Sequence, residues 1–424
     1  MRNGSVRALM VGLLLGGCAD PPVGQPDPQP FVVENDDVWS GSSVTVRSAG
    51  FVGADPAAVL LDADTLAFTR VNDSTLTVAL PDLPGTHQLH IASPSVLPTP
   101  VPVHLNGFVG AQEGPVFMGR AVRGSQLTEV YGSGPTGLRR WDVSTGTTWD
   151  YPDSMHTGTC SRGVGAGPHT GELVLLRGDC SVANWWLWRI EPTVARLDST
   201  QFGSSWFVDV LGPGRYVLPG AHMTVIIACD TSCVRSDTRG ESGFDVVHSP
   251  TGHRAVPLAY VVSDTGAPVI DGTTGRLSYY LPQFEELIGA AFSEDGDTLY
   301  LTGQDNVWTP GVELLLAARA VDGSPLVVDT LSFSPCGVAV DPVRPLLYVA
   351  GNQGAGANGR SVLGVFDRTT LEPIALLHAD SLVYYTPCKV LPSPLERRVY
   401  VIPSIEGAFD IRVHSWVASY ETPP

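Results

Sequence analysis

The sequence predicts an all-β protein: a small Ig-like β-sandwich followed by a seven-bladed β-propeller. Three observations carry that reading. The 424-residue chain holds 46 glycines and 35 prolines but only 16% charged residues, a composition suited to many short strands joined by tight turns. Alternating apolar runs broken by turn residues fill the part before about residue 105. Beyond it, one strand-turn-strand unit recurs seven times with a period of about 40 to 50 residues.

Composition also excludes several classes. At 43% hydrophobic the chain can bury large cores, so wholesale disorder is ruled out. A formal charge of -18 opposes nucleic-acid binding, which needs a basic face. Lys389 is the sole lysine, so no polybasic membrane patch exists.

Residues 1–17 read as an export signal. Arg2 and Arg7 supply positive charge, and the apolar run from Ala8 to Leu15 is too short to span a bilayer. It ends in Leu15-Gly16-Gly17-Cys18, which resembles the bacterial lipobox. That resemblance implies a lipoprotein with diacylglycerol on Cys18, anchored in the cell envelope. Ala19 after the cysteine favours the outer membrane. Five prolines between Ala19 and Pro30 make residues 18–30 an extended tether.

Residues 31–105 are the expected sandwich. Val44-Thr45-Val46-Arg47, Ala58-Val59-Leu60-Leu61, Phe68-Thr69-Arg70-Val71, Thr75 to Leu80 and His87 to Ile91 are short strands. Asn72-Asp73-Ser74 and Pro84-Gly85-Thr86 are turns. Gly41-Ser42-Ser43-Val44-Thr45-Val46 with Gly50-Phe51, Asp73 to Val78, Leu80-Pro81 and Gly85 resemble an IPT/TIG domain. The resemblance implies a spacer or adhesion module without catalytic residues.

Residues 106–424 are the expected propeller. Ala290 to Leu301, Val338 to Val349 and Leu391 to Val401 are the clearest copies of the unit, and weaker ones centre on Tyr131, Val174, Tyr216 and Tyr260. Acidic turns follow most third strands, at Asp142, Glu191, Asp271, Asp322 and Asp367. These Asp-Gly hairpins, Leu-Tyr-Val strands and the Phe366-Asp367-Arg368-Thr369 turn resemble the YncE-like, YVTN-type propellers. One blade alone cannot bury its faces, so repeats must close on one another.

No HExxH, phosphate-binding loop, CxxC or GxSxG motif appears. Gly351 to Gly359 reads as a loop at the rim, because no helix pattern follows it. Ser293-Glu294-Asp295-Gly296-Asp297 could hold calcium, but Asp-Gly is ordinary hairpin chemistry, so no cofactor is expected. Loops around a propeller channel commonly bind ligands, which makes Arg162, His253, Arg254, Glu285, Glu286 and Lys389 candidates. Trp185-Trp186-Leu187-Trp188 is either an aromatic platform for a sugar or partner, or packing between adjacent blades. Alternation sets Trp186 and Trp188 on one face and Trp185 with Leu187 on the other.

Six cysteines remain after Cys18, an even number that reads as disulfides in an exported chain. Cys160 and Cys180 lie symmetrically about a hairpin near Thr170, so they are expected to pair. Cys336 and Cys388 each follow a proline and each precede their repeat's tyrosine, Tyr348 or Tyr400, by the same twelve residues. Equivalent positions in neighbouring blades near the axis lie about 6 Å apart, within disulfide reach. Cys229 and Cys233 are left to pair locally.

The expected role is non-catalytic binding or scaffolding at the cell envelope, through the membrane anchor and an envelope protein or glycan. The alternative is a propeller enzyme, lactonase-like or quinoprotein-like, which needs carboxylates or histidines converging in the channel, often on a metal.

Overall fold

The computed structural model describes residues 27–423 except 53–55, 117–121, 124–128, 135–136, 152–158, 168–171, 180–184, 192–194, 199–207, 220–222, 230–232, 240–244, 259–265, 275, 282–283, 306–311, 355–359, 380–387 and 404–413. The chain divides into two compact units. One holds the residues up to Asn35 with Val44–Val78 and Gln88–Pro102; the other holds Asp36–Ser43, Ala79–His87 and Val103–Pro424.

In the first unit Val32–Val33 pairs with Ser43–Arg47, Phe68–Asn72 pairs with Thr75–Ala79, and Ala58–Leu61 pairs with both Asp64–Leu66 and Gly85–Ala92. In the first unit, Val44 and Val46 alternate with exposed or half-buried neighbours, as do Val59 and Leu61. They are buried with Phe51, Leu76, Val78, Leu89 and Ile91. Asn72 caps its turn, accepting from the backbone N–H of Ser74 at 2.9 Å. The sequence reading missed Val101–Asn106, which pairs in parallel with Asp37–Trp39.

The second unit contains seven four-stranded antiparallel sheets among its described residues. Sheet 1 is Val122–Arg123, Glu129–Gly134, Gly137–Asp142 and Thr147–Asp150. Sheet 2 is Thr159–Ala166, Leu173–Asp179, Trp185–Glu191 and Ala195–Asp198. Sheet 3 is Asp209–Gly212, Arg215–Pro219, Met223–Cys229 and Cys233–Arg239. Sheet 4 is Asp245–His248, Arg254–Leu258, Ala267–Asp271 and Leu277–Leu281. Sheet 5 is Phe284–Phe292, Thr298–Asp305, Glu313–Arg319 and Pro325–Thr330. Sheet 6 is Ser334–Val340, Leu346–Gln353, Arg360–Asp367 and Pro373–Ala379.

Sheet 7 takes three strands from the end of the chain, Cys388–Ser393, Arg398–Pro403 and His414–Glu421. Its fourth, Phe108–Val116, comes from the start of the segment Val103–Pro424 and pairs with His414–Glu421. Strand pairing therefore ties the two ends of that segment together, a feature absent from the sequence reading.

One turn geometry recurs. The N–H of Gly167, Ser249, Ser293 and Asp341 each donates to the carbonyl five residues on, at 2.7, 2.8, 2.9 and 3.0 Å. Two residues past each closure stands the repeat's anchor: Val174, Val256, Tyr300 or Tyr348. This register corrects the fourth anchor, which is Val256 rather than Tyr260. Tyr260 lies outside the described residues; an aromatic four positions downstream drew the sequence reading past a buried valine.

Between third and fourth strands a second turn recurs. Asp142, Asp271, Asp322 and Asp367 each accept from a backbone N–H two residues ahead, at 3.0, 2.8, 2.9 and 2.8 Å. The acidic residue thus closes a turn by mimicking a backbone carbonyl.

The sheets bury their faces against one another. Leu138, Val164 and Leu175 join sheet 1 to sheet 2, and Leu187, Val210 and Tyr216 join sheet 2 to sheet 3. Val217 meets Val246, Val269 meets Leu287, and Tyr300 shares a cluster with Val338. Tyr348 and Val399 join sheet 6 to sheet 7. Trp141 of sheet 1 packs with Leu391, Tyr400 and Ile402 of sheet 7, so the last sheet meets the first.

Phenols withdrawn from water need hydrogen-bond partners, and four anchors find carboxylates. Tyr131, Tyr216, Tyr348 and Tyr400 donate to Glu129, Glu172, Asp341 and Glu396. Within this unit, Trp39 also meets Tyr348 edge-on at 6.4 Å, and Asp82 accepts from His378 Nδ1 at 2.7 Å.

Candidate binding site

First strands of neighbouring sheets approach one another closely at three places. A Cβ added to Gly337 of sheet 6 would stand 2.3 Å from the Cys388 carbonyl oxygen of sheet 7. One added to Gly165 of sheet 2 would stand 2.7 Å from the Cα of Asp209 in sheet 3. One added to Gly289 of sheet 5 would stand 3.3 Å from the backbone nitrogen of Val338 in sheet 6. At these three places neighbouring first strands come close, and glycine permits it.

These strands bulge at one register position. The pairing shifts between Ser161 and Gly163, between Leu287 and Gly289, and between Pro335 and Gly337. Arg162, Ile288 and Cys336 are the extra residues, each followed by glycine. Cys388 occupies the same position in sheet 7, five residues before Ser393, and Lys389 follows it. A disulfide joins Cys336 to Cys388. Cys229 is also disulfide-bonded, and it faces Cys233 across their hairpin. Cys160 stands opposite Gly178, while Cys180 lies outside the described residues, as does Cys18.

The candidate ligand residues do not converge. Arg162, Lys389, Glu285 and Glu286 lie toward the start of first strands, and Trp185 begins a third strand at that same end. His253 and Arg254 belong to the turn between the first and second strands of sheet 4. Antiparallel strands put that turn at the opposite end, so His253 and Arg254 are not at the mouth with the others. There His253 Nδ1 lies 3.2 Å from Thr273 Oγ1.

At the first end, Glu286 faces Gln304, which faces Glu313. Burial pushes the Glu286 carboxyl above its usual range, and Glu285 adds to that. Burial likewise raises Glu313, against a hydrogen bond from Ser334 and with help from Glu286. Among the described residues no group of three or more His, Cys, Asp or Glu is placed to hold a metal ion. In the turn weighed for calcium, Asp295 Oδ1 accepts from Ser293 Oγ at 2.5 Å and from Asp297 N at 3.0 Å, so it serves the hairpin. The loop from Gly351 is described through Gly354; residues 355–359 lie outside the described residues.

The tryptophan run splits as its alternation requires. Leu187 is buried in the cluster shared with sheet 3, and Trp188 packs on the cluster shared with sheet 1. Trp149, on the outer strand of sheet 1, was not singled out by the sequence. It is 42% exposed, and the Arg140 guanidinium lies 4.5 Å from its ring centre. Arg140 donates in turn to Glu129, which is buried and also accepts from Tyr131 at 3.3 Å. The only sequence signal was the cross-strand pairing of Arg140 with Trp149, which requires the register.

No family profile and no curated protein matches the chain. Solved structures do. The β-propeller domain of Cps50 (Swd1) from Myceliophteria thermophila superposes with a TM-score of 0.52 at 8% identity, covering 75% of this chain and 99% of that one. A chain of the mitotic checkpoint complex superposes with a TM-score of 0.51 at 10% identity, covering 75% and 92%. At such identities the likeness concerns fold, and that fold is a β-propeller.

Proposed function

We propose that the chain is a non-catalytic binding or scaffolding lipoprotein of the bacterial cell envelope. In this reading Cys18 carries the anchor, an Ig-like IPT/TIG sandwich follows, and a seven-bladed, YncE-like propeller presents the binding surfaces without a resident cofactor. The observation that carries it is the closure of the second unit, by the pairing of Phe108–Val116 with His414–Glu421 and by the packing of Trp141 on Tyr400. Seven sheets with clusters joining each to the next support the blade count. A closed ring is a rigid frame that can display loops to a partner. A propeller of similar fold sits in the mitotic checkpoint complex, which favours scaffolding over catalysis.

Two measurements test this. Membrane fractionation should find the wild type with membranes and Cys18→Ala in the soluble fraction; a variant that still pellets removes the anchor. Purified protein should turn over neither a panel of lactones nor substrates of dye-linked quinoprotein assays. Turnover of either, abolished by unfolding, replaces the binding reading with the enzymatic one.

A further inference from the structure

Aromatic side chains gather at the face between sheets 1 and 2. Tyr131, Tyr151 and Trp188 pack on its core, which Leu138, Val164, Leu173 and Leu175 build. Trp149 lies farther out, on the edge strand of sheet 1, with neighbours Thr147, Thr148 and Asp150 all exposed. A large aromatic on a wholly exposed strand contributes little to a core.

Its surroundings hold it in place. Arg140, directly opposite Trp149, stacks on one side of the ring, and Glu129 holds the guanidinium. Burial raises the Tyr131 phenol, with Tyr151 and Glu129 adding to it, so the phenol stays a neutral donor beside Glu129. Asp150, next to Trp149, is clamped in a two-point pair by Arg139 at 2.6 and 2.8 Å. Residues alternate along a strand, so Thr147 and Tyr151 share the face of Trp149, and Asp142, opposite Thr147, joins them. An exposed indole thus carries a guanidinium against its ring and shares its sheet face with Thr147, Tyr151 and Asp142.

That chemistry matches a sugar. A pyranose presents C–H groups from one face and hydroxyls around its edge. The C–H groups suit a flat aromatic, and the hydroxyls suit acceptors and donors in its plane. A pre-set ring loses little entropy on binding. We propose that this outer face of sheet 1 is a saccharide-binding site with a pyranose stacked on Trp149. The proposal rests on the reading of the chain as a binding module and gives that module a ligand class.

Titration calorimetry of the full mature chain against cellotetraose, maltotetraose and N-acetylglucosamine tetramer tests it. Saturable binding of at least one is expected. Trp149→Ala should weaken it by about tenfold or more, the loss expected of a stacking residue. Trp149→Phe should keep part of it, and Arg140→Ala should weaken it less than Trp149→Ala. Val343→Ala, at an exposed turn of sheet 6, should bind as wild type, and circular dichroism should show all variants folded. Binding of none of the three, or equal binding by Trp149→Ala, overturns the site. Either result leaves the anchor and the absence of turnover to be judged by their own assays.

Discussion

Cys336 and Cys388 stand at one register position in the inner strands of sheets 6 and 7, with Cα atoms 5.1 Å apart and their sulfurs bonded. Cys336 is fully buried and Cys388 nearly so. The bond closes a loop with a sequence separation of 52 and fastens the last sheet to the one before it. Strand pairing with Phe108–Val116 fastens the same sheet on its outer side.

Reducing this bond should therefore lower the melting temperature. In the chain-entropy account a loop of this length is worth up to about 4 kcal/mol. The expected order is wild type above the Cys336→Ala, Cys388→Ala double variant in scanning calorimetry. Equal melting temperatures would show that packing alone fixes sheet 7. Reduction of the native protein should also be slow, because a reductant must wait for the interface to open.

A second prediction concerns Gly337. A side chain there meets the backbone of Cys388, which cannot rotate away. Gly337→Ala should destabilise by about 1–3 kcal/mol or more, through overpacking. Gly110→Ala is the comparison, since nothing lies within 4 Å of its added Cβ. Chemical denaturation of the two variants decides the matter, and equal midpoints would refute the close approach of inner strands.

The repeat was legible in the sequence because its turns and anchors are local. Ser293 to Thr298 and Asp341 to Leu346 close the same way, and both carry a tyrosine two residues on. Sheet 4 keeps the turn, Ser249 to Arg254, but places valine at the anchor, so in the sequence the aromatic Tyr260 stands out instead. The pairing of Phe108 with Tyr420 was invisible, because it joins residues from opposite ends of the segment Val103–Pro424. The candidate residues fared unevenly for a related reason. Glu285 and Arg254 both stand at the beginning of strands, but only strand order tells which end of a sheet each one occupies. Trp149 escaped notice because its partner Arg140 lies across a turn, not beside it in sequence.

A third prediction covers the remaining thiols. Cys229 is bonded and opposes Cys233 in register. Non-reducing peptide mapping should yield one fragment linking these two and another linking Cys160 to Cys180. Cys160 already stands one residue from the strand end at Thr159, which pairs with Asp179, next to Cys180. A fragment joining Cys160 to Cys229 or Cys233 would overturn both assignments.

The last prediction is the shape of stability against pH. On the acid side, Asp295 is held below the usual carboxylate range by the Ser293 hydroxyl and then the Asp297 N–H. Asp367 is held down by the N–H groups of Thr370 and Thr369, and Asp322 by the hydroxyl and N–H of Ser324. Burial opposes the charge of Asp341, but the side chain and backbone of Arg344 together outweigh it. The folded state thus holds protons on these groups more weakly than the unfolded chain does. Their contribution is complete above the unfolded carboxylate pKa of about 3.9 and disappears as pH falls below it. On the alkaline side the sign reverses. Burial raises Tyr216, Tyr348 and Tyr400 well above the ordinary phenol, with Glu172, Asp341 and Glu396 adding to it, and burial pushes Tyr279 up to about 12. The folded state holds these protons more tightly, so their contribution is complete below the unfolded pKa of about 10 and is lost as pH rises through the folded values. Through these groups the melting temperature should fall in acid, below about pH 4, and in alkali, above about pH 10. Tyr348→Phe should lower the plateau by about 1–2 kcal/mol, since it leaves the buried Asp341 one donor short, and should soften the alkaline fall. Asp367→Asn should soften the acid fall and leave the alkaline one unchanged. An alkaline limb as steep in Tyr348→Phe as in the wild type would show that the buried anchor phenol does not govern it.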